Sequence, residues 1–152
     1  YSTASIQSNS TDLIKWTTFT EGVKEAKAKK KYMFINFYTD WCGYCKNLNK
    51  TTYREPKIYN YINAKFIPIR INAESQKKVV FQGKQITEQE LAYSFGVSSY
   101  PNMFFMSSEK DAIGHLPGFL EADELYLIAN YVATDSFKKI KSIDEYKKTF
   151  KG

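Results

Sequence analysis

Cys42 and Cys45 follow closely on a nearly continuous apolar run, Tyr32-Met33-Phe34-Ile35-Asn36-Phe37-Tyr38, with only Thr39-Asp40-Trp41 between. A run of this length is too short for a buried helix and is rich in aromatic and β-branched residues, so it predicts a central strand covered on both faces. The chain then has to turn off that strand into a segment that starts with the cysteine pair and reads as a helix to about Thr52. These are the chain's two cysteines, and they stand three positions apart. A disulfide closing so short a loop removes little chain entropy, so chemistry explains the pair better than stapling does.

The rest of the chain alternates in kind. Phe19, Val23 and Ala26, with clustered lysines, predict a short amphipathic helix over Trp16–Lys30. Pro56 opens a further turn or helix through Ile62, and Lys65–Asn72 reads as a strand around Phe66, Ile67, Ile69 and Ile71. Residues 74–84 are polar around Val79-Val80-Phe81 and read as an inserted excursion. Thr87-Glu88-Gln89-Glu90 is a capping box before Leu91, Ala92 and Phe95, and Gly96 supplies the stop. Residues 102–106 form another strand, 107–111 turn into a strand over 112–116, and 121–132 form a helix with Leu125, Ile128, Ala129 and Val132 on one face. A last helix starts at Ser142-x-x-Glu145 and carries Ile143, Tyr146 and Phe150. The order α-β-α-β-α-β-β-α-α joins a βαβ unit to a ββα unit. It predicts one α/β domain, a central mixed sheet with helices on both faces. Its span is 11–152, after a flexible polar leader over 1–10, with 135–152 as a C-terminal helical extension.

Composition narrows the partners. The chain has 152 residues and a net charge of +6, almost all from scattered lysines, since Arg54 and Arg70 are its two arginines. Nucleic-acid binders concentrate charge and favour arginine for bidentate contacts, so nucleic acid is not an expected partner. No stretch approaches 18 consecutive apolar residues, which excludes a membrane-spanning helix. The chain begins at Tyr1 with a polar stretch that fits a mature exported protein, and fits a trimmed chain equally well.

Disulfide exchange needs one thiolate that attacks and a second thiol that resolves the mixed disulfide. A pair at i, i+3 in a helix's first turn brings the two sulfurs within bonding reach. It also puts Cys42 at the N-terminus, where free N–H groups and the helix dipole favour negative charge. Cys42 is therefore expected to be the exposed, low-pKa nucleophile and Cys45 the more buried resolving thiol, with Lys46 adding a modest positive field. Zinc is not expected, because a structural site usually takes four Cys or His ligands and this chain offers two cysteines and His115. A c-type haem would need His after the second cysteine, where Lys46 stands. His115 reads as a surface residue on a strand edge, and Phe104-Phe105 as core.

The segment from Phe34 through Trp41-Cys42-Gly43-Tyr44-Cys45-Lys46 resembles the active-site segment of the thioredoxin superfamily. Phe95-Gly96-Val97-Ser98-Ser99-Tyr100-Pro101 resembles that family's segment ending in a cis-proline. The resemblance covers roughly Trp16–Val132 and implies a thioredoxin-like fold with Pro101 cis and facing the cysteines. It further implies that Tyr100 docks substrate, beside Trp41 and Tyr44. Within the superfamily the likeness is strongest to bacterial periplasmic thioredoxin-related proteins, including those of sulfur-oxidation clusters and the C-terminal domain of the transmembrane reductant conductor. It therefore implies a periplasmic or otherwise exported thiol–disulfide oxidoreductase leaning to reduction, with a cytoplasmic location as the alternative. The implied protein is a monomer with no cofactor beyond the Cys42–Cys45 disulfide, fed by a thiol donor such as a membrane conductor and acting on protein or small-molecule disulfides.

Two departures stand out. Where thioredoxins carry a buried Asp six residues before the first cysteine, this chain has Asn36, which cannot act as a base. Water or another carboxylate such as Asp40 would have to serve, or turnover would be slower. Between the cysteines stands Gly43-Tyr44 in place of Gly-Pro, which leaves the redox poise open. An oxidase or isomerase using the same site, and a non-catalytic module binding through Trp41 and Tyr100, are the alternative readings.

Overall fold

A computed structural model of the chain describes residues 12–151. The leader expected over 1–10 lies outside the described residues. In chain order the elements are α1 (Phe19–Lys29), β1 (Tyr32–Tyr38), α2 (Gly43–Lys50), α3 (Pro56–Lys65), β2 (Phe66–Asn72), β3 (Lys78–Phe81), β4 (Lys84–Thr87), α4 (Glu88–Ser94), β5 (Asn102–Met106), β6 (Ala112–Pro117), α5 (Ala122–Ala133) and α6 (Ile143–Thr149). The main sheet runs β2-β1-β5-β6. Strands β1 and β2 are parallel, whereas β1–β5 and β5–β6 are antiparallel, so the expected mixed sheet is present.

Strand β1 lies at the centre because both its faces are apolar. Met33, Ile35 and Phe37 point to one side, into a cluster with Phe19 and Ala26 of α1 and Leu91 and Ala92 of α4. Phe34 points to the other, against Leu48 of α2, Ile58 and Ile62 of α3, and Leu125 of α5. Phe34, Phe37, Phe66 and Phe105 are fully buried. Burial of a phenylalanine contributes roughly 1.5–3 kcal/mol over exposure, so these rings are a main source of the fold's stability.

Trp16, expected inside the first helix, lies before it. The Thr18 hydroxyl accepts from the Glu21 N–H (3.2 Å) and so caps α1 at Phe19, while Thr17 bridges to Ile69 of β2. The Trp16 indole stacks on Phe34 (6.0 Å) and meets Tyr53 edge-on (5.3 Å). Helix α1 sits so close to β2 that a Cβ at Gly22 would fall 2.4 Å from Ile69 Cγ1, which accounts for glycine in mid-helix. Lys65, expected to open a strand, instead ends α3, and β2 begins at Phe66.

The excursion at 74–84 contains structure. Strands β3 and β4 form an antiparallel hairpin, with Val79 opposite Ile86 and a turn at Gln82 (φ 52°) and Gly83 (φ 77°). At its end the predicted capping box is present: the Thr87 hydroxyl accepts from the Glu90 N–H (3.0 Å), and the Glu90 carboxylate accepts from the Thr87 N–H (2.8 Å). Next to it, burial pushes the Glu88 carboxyl above its usual range, opposed by a hydrogen bond with Ser75 and the charge of Lys77. An acid with a raised folded pKa favours folding at low pH, and that contribution is lost as pH rises through the raised value. Glu88→Gln is therefore expected to raise the melting temperature at neutral pH. The gain should shrink to nothing below about pH 4, which melting curves across that range check.

Beyond α5, the tail is held by aromatic rings. Tyr131 packs on Phe137 (6.3 Å) and Tyr146 (5.1 Å), and Phe150 packs on Tyr126 (5.9 Å). The Tyr32 hydroxyl, at the start of β1, donates to Asp135, and burial together with that carboxylate pushes its pKa up to about 12. The Ser142 hydroxyl accepts from the Glu145 N–H (3.1 Å), which caps α6.

Candidate active site

Strand β1 ends at Tyr38, and the chain leaves the sheet through Thr39-Asp40-Trp41. The Thr39 carbonyl accepts from the Cys42 N–H (3.4 Å), so the turn delivers Cys42 to the N-cap of α2. There the Cys42 Sγ accepts from the Cys45 N–H (3.0 Å). That is the place a serine or aspartate oxygen takes at an ordinary helix start, so a sulfur carrying negative charge is favoured there. Cys42 and Cys45 are joined as a disulfide with their Cα atoms 5.2 Å apart.

Cys42 was expected to be exposed, and it is not: its exposure is 4%, against 3% for Cys45. Bonded to Cys45 and drawn in by the Cys45 N–H, the Cys42 sulfur is folded onto the helix end instead of projecting from it. Exposure instead falls on the neighbours. Trp41 is 64% and Tyr44 68% exposed. Gly43 is exposed too, and a Cβ there would meet no atom within 4 Å, so packing does not demand glycine between the cysteines. Lys46 is exposed on α2, and its N–H donates to the Cys42 carbonyl (3.2 Å).

The Tyr100–Pro101 peptide bond is cis. Tyr100 meets the Trp41 indole edge-on, with centroids 5.9 Å apart, so the segment before β5 and the turn before α2 converge in one aromatic rim. Glu74, from the turn after β2, completes it: its carboxylate accepts from the Trp41 indole N–H (2.9 Å). Burial raises the pKa of the Tyr100 hydroxyl, and the Glu74 charge adds to the effect. The Glu74 contact lies 33 residues from Trp41, and no sequence spacing predicts it.

Asn36 is buried, and its Oδ1 accepts from the Tyr53 hydroxyl (2.7 Å). Tyr53 lies fully buried, and burial holds its hydroxyl in the protonated form. The Asn36–Tyr53 pair is thus a neutral hydrogen bond where the superfamily's pattern has an acid. It lies on the face of β1 that Phe34 and Leu48 of α2 fill. Asp40, the other carboxylate considered, is exposed and faces Asn72 (3.5 Å).

His115 is exposed on β6, an edge strand of the sheet, as expected. It also stacks on Phe104 (4.3 Å, 8°) and reaches Asn102. Among the described residues no helix is long and apolar enough to cross a membrane.

Comparison with known proteins agrees with this geometry. The sequence is 29% identical over 103 residues to protein disulfide-isomerase of Gallus gallus, a stretch that is 67% of this chain and 18% of that protein. It is 25% identical over 95 residues to the thiol:disulfide interchange protein DsbD of Neisseria meningitidis, 62% of this chain and 14% of that one. The chain thus spans less than a fifth of the length of either relative. Its fold superposes on a thioredoxin-fold protein from Helicobacter pylori with a TM-score of 0.67 at 22% identity, covering 80% of each chain. The sequence model of the thioredoxin-like domain matches residues 19–133, from the start of α1 to the end of α5, with the cysteine pair and Pro101 inside it. The chain therefore belongs to the family of thioredoxin-like domains.

Proposed function

We propose that the chain works as a disulfide reductase in an exported compartment, acting on protein or small-molecule disulfides through Cys42 and Cys45. The observation that carries this reading is the burial of both cysteines, 4% and 3% exposed, beside the rim of Trp41 and Tyr100. The Cys42 sulfur at the N-cap of α2, held by the Cys45 N–H (3.0 Å), supports exchange chemistry as such. In the reduced protein, the Cys42 thiolate attacks one sulfur of a substrate disulfide. A Cys42–substrate disulfide forms, and the other substrate sulfur leaves as a thiolate. Cys45 then loses its proton and attacks the Cys42 sulfur. The second substrate thiolate leaves, the Cys42–Cys45 disulfide forms, and two electrons have passed to the substrate. A thiol donor, such as the reduced pair of a membrane conductor, restores the dithiol by the same exchange, and no further cofactor takes part.

The direction of flow is supported by burial. Both sulfurs are shielded, which disfavours thiolate charge and favours the disulfide form. Gly43-Tyr44 places no cation between the cysteines. A couple whose reduced form gains little stabilisation gives its electrons away readily. The N-capping hydrogen bond on Cys42 works the other way, by favouring the reduced form, and is the one feature that speaks for the same site run as an oxidase. The likeness to DsbD, a thiol:disulfide interchange protein, supports exchange with a thiol partner.

Reduction of insulin by dithiothreitol separates catalysis from binding. The protein is expected to shorten the lag before the insulin B chain precipitates. A lag equal to that of dithiothreitol alone would identify a module that binds without catalysing.

A further inference from the structure

The rim that meets a substrate includes Ser99-Tyr100-Pro101, and this segment is anchored from the far edge of the sheet. Strand β6 is an edge strand, and the N–H of Gly118, just past its end, donates to the Pro101 carbonyl (2.8 Å). The second anchor runs through side chains. Asn102, buried at the start of β5, donates from Nδ2 to the Ser99 carbonyl (3.2 Å). That bond fixes which way the amide points, because only its NH2 side can serve a carbonyl. Its Oδ1 therefore faces His115 Nε2 (2.5 Å), and His115 must carry its proton on Nε2 and donate. The imidazole is itself set by stacking flat on Phe104, its cross-strand partner (4.3 Å, 8°). A chain of donors thus runs from an exposed ring on β6, through a buried amide, to the carbonyl directly before Tyr100.

We propose that His115 and Asn102 are positioning residues that hold the Ser99–Pro101 segment in the conformation against which a disulfide-bearing peptide docks. His115 touches neither sulfur nor substrate and acts through Asn102. Without its donor, Asn102 Oδ1 is left buried and unpaired, so the amide turns or shifts toward another partner and the Ser99 carbonyl loses its anchor. Docking of an extended peptide then suffers, while a small disulfide that needs only the Cys42 sulfur does not. The proposal rests on the reading of Tyr100–Pro101 as the docking edge of a reductase.

Two variants separate the hydrogen bond from the packing. His115→Phe keeps a ring on Phe104 and removes the donor, whereas His115→Gln keeps a donor of similar reach and loses the ring. For His115→Phe, KM for insulin is expected to rise about fivefold, as for the loss of one neutral hydrogen bond. Its kcat, and the rate at which its reduced form reacts with dithiobis(nitrobenzoate), should stay at the wild-type values. His115→Gln should restore KM. Amide hydrogen exchange at Gly118, whose N–H the Pro101 carbonyl holds, should quicken in His115→Phe alone, and this readout does not depend on catalysis. An unchanged KM in His115→Phe overturns the proposal, and so does a His115→Gln variant as impaired as His115→Phe, or an equal loss of rate with the small disulfide. If wild-type protein reduces no insulin, the reductase reading falls. The exchange rates then still decide the anchor, and unchanged exchange in His115→Phe overturns it.

Discussion

Cys45→Ser protein, reduced and mixed with a disulfide-containing protein substrate, is expected to stop at a covalent adduct on Cys42 and to lose multiple turnover entirely. The N-capping contact between the Cys45 N–H and the Cys42 sulfur explains why (3.0 Å). That N–H belongs to the backbone and survives the substitution, so attack by Cys42 is kept. The sulfur needed to expel the substrate is gone. The adduct should run as a heavier band on a non-reducing gel and vanish with dithiothreitol. Cys42→Ser should trap nothing, because Cys45 sits one turn inside α2 without a capped N-terminal position. Trapping on Cys42→Ser in place of Cys45→Ser would reverse the roles of the two sulfurs.

Asn36→Asp is expected to have the largest effect on stability of any single-atom-scale change near the site. The side chain is buried, with the Tyr53 hydroxyl as its donor (2.7 Å), and Tyr53 is itself held neutral by burial. A carboxylate placed there exchanges full hydration for one neutral hydrogen bond, so its pKa rises above the ordinary value of about 3.9. For an acid raised in the folded state, stability is intact below the unfolded pKa and is lost as pH rises through the folded one. The variant should therefore match the wild type near about pH 4. It should fall short by on the order of 3 kcal/mol at pH 8, from the effective penalty of one buried ion. Urea unfolding at the two pH values checks this, and equal stability at pH 8 would mean that Asn36 has a better-solvated surrounding than its burial indicates. A carboxylate there would also supply the base that Asn36 lacks, so single-turnover resolution by Cys45 should quicken.

Much of this architecture is legible in the sequence where local rules and tertiary packing agree. The run at Tyr32–Tyr38 is central because both its faces are apolar, and the Thr87–Glu90 and Ser142–Glu145 patterns cap the helices that follow them. The β3–β4 hairpin was not legible. Its strands are four residues each, and its turn puts Gln82 at positive φ, where Asn or Asp usually advertises such a turn. The start of α1 at Phe19 in place of Trp16 reflects competition: Thr18 caps, and Thr17 pairs with β2.

At the site, the positions of Cys42, Cys45, Trp41, Tyr44, Tyr100 and Pro101 follow from two short motifs. Their surroundings do not. The hydrogen bond from Trp41 to Glu74 and the one from Tyr53 to Asn36 join residues that only the fold brings together. His115 reads correctly as an edge residue. Its reach to Asn102 depends on the register of β5 against β6, which a sequence does not display. The burial of Cys42 was missed for a related reason: spacing says where a helix starts, not how the disulfide draws the sulfur inward.

The reduction potential of the Cys42–Cys45 couple, measured by equilibration against graded thiol–disulfide buffers, tests the proposed direction of electron flow most directly. Shielded sulfurs and an uncharged dipeptide between them predict a value near that of thioredoxin, about −270 mV. A value near about −120 mV would show that the reduced form is the stabilised one. It would contradict the reductase assignment and make the disulfide, not the dithiol, the reactive state.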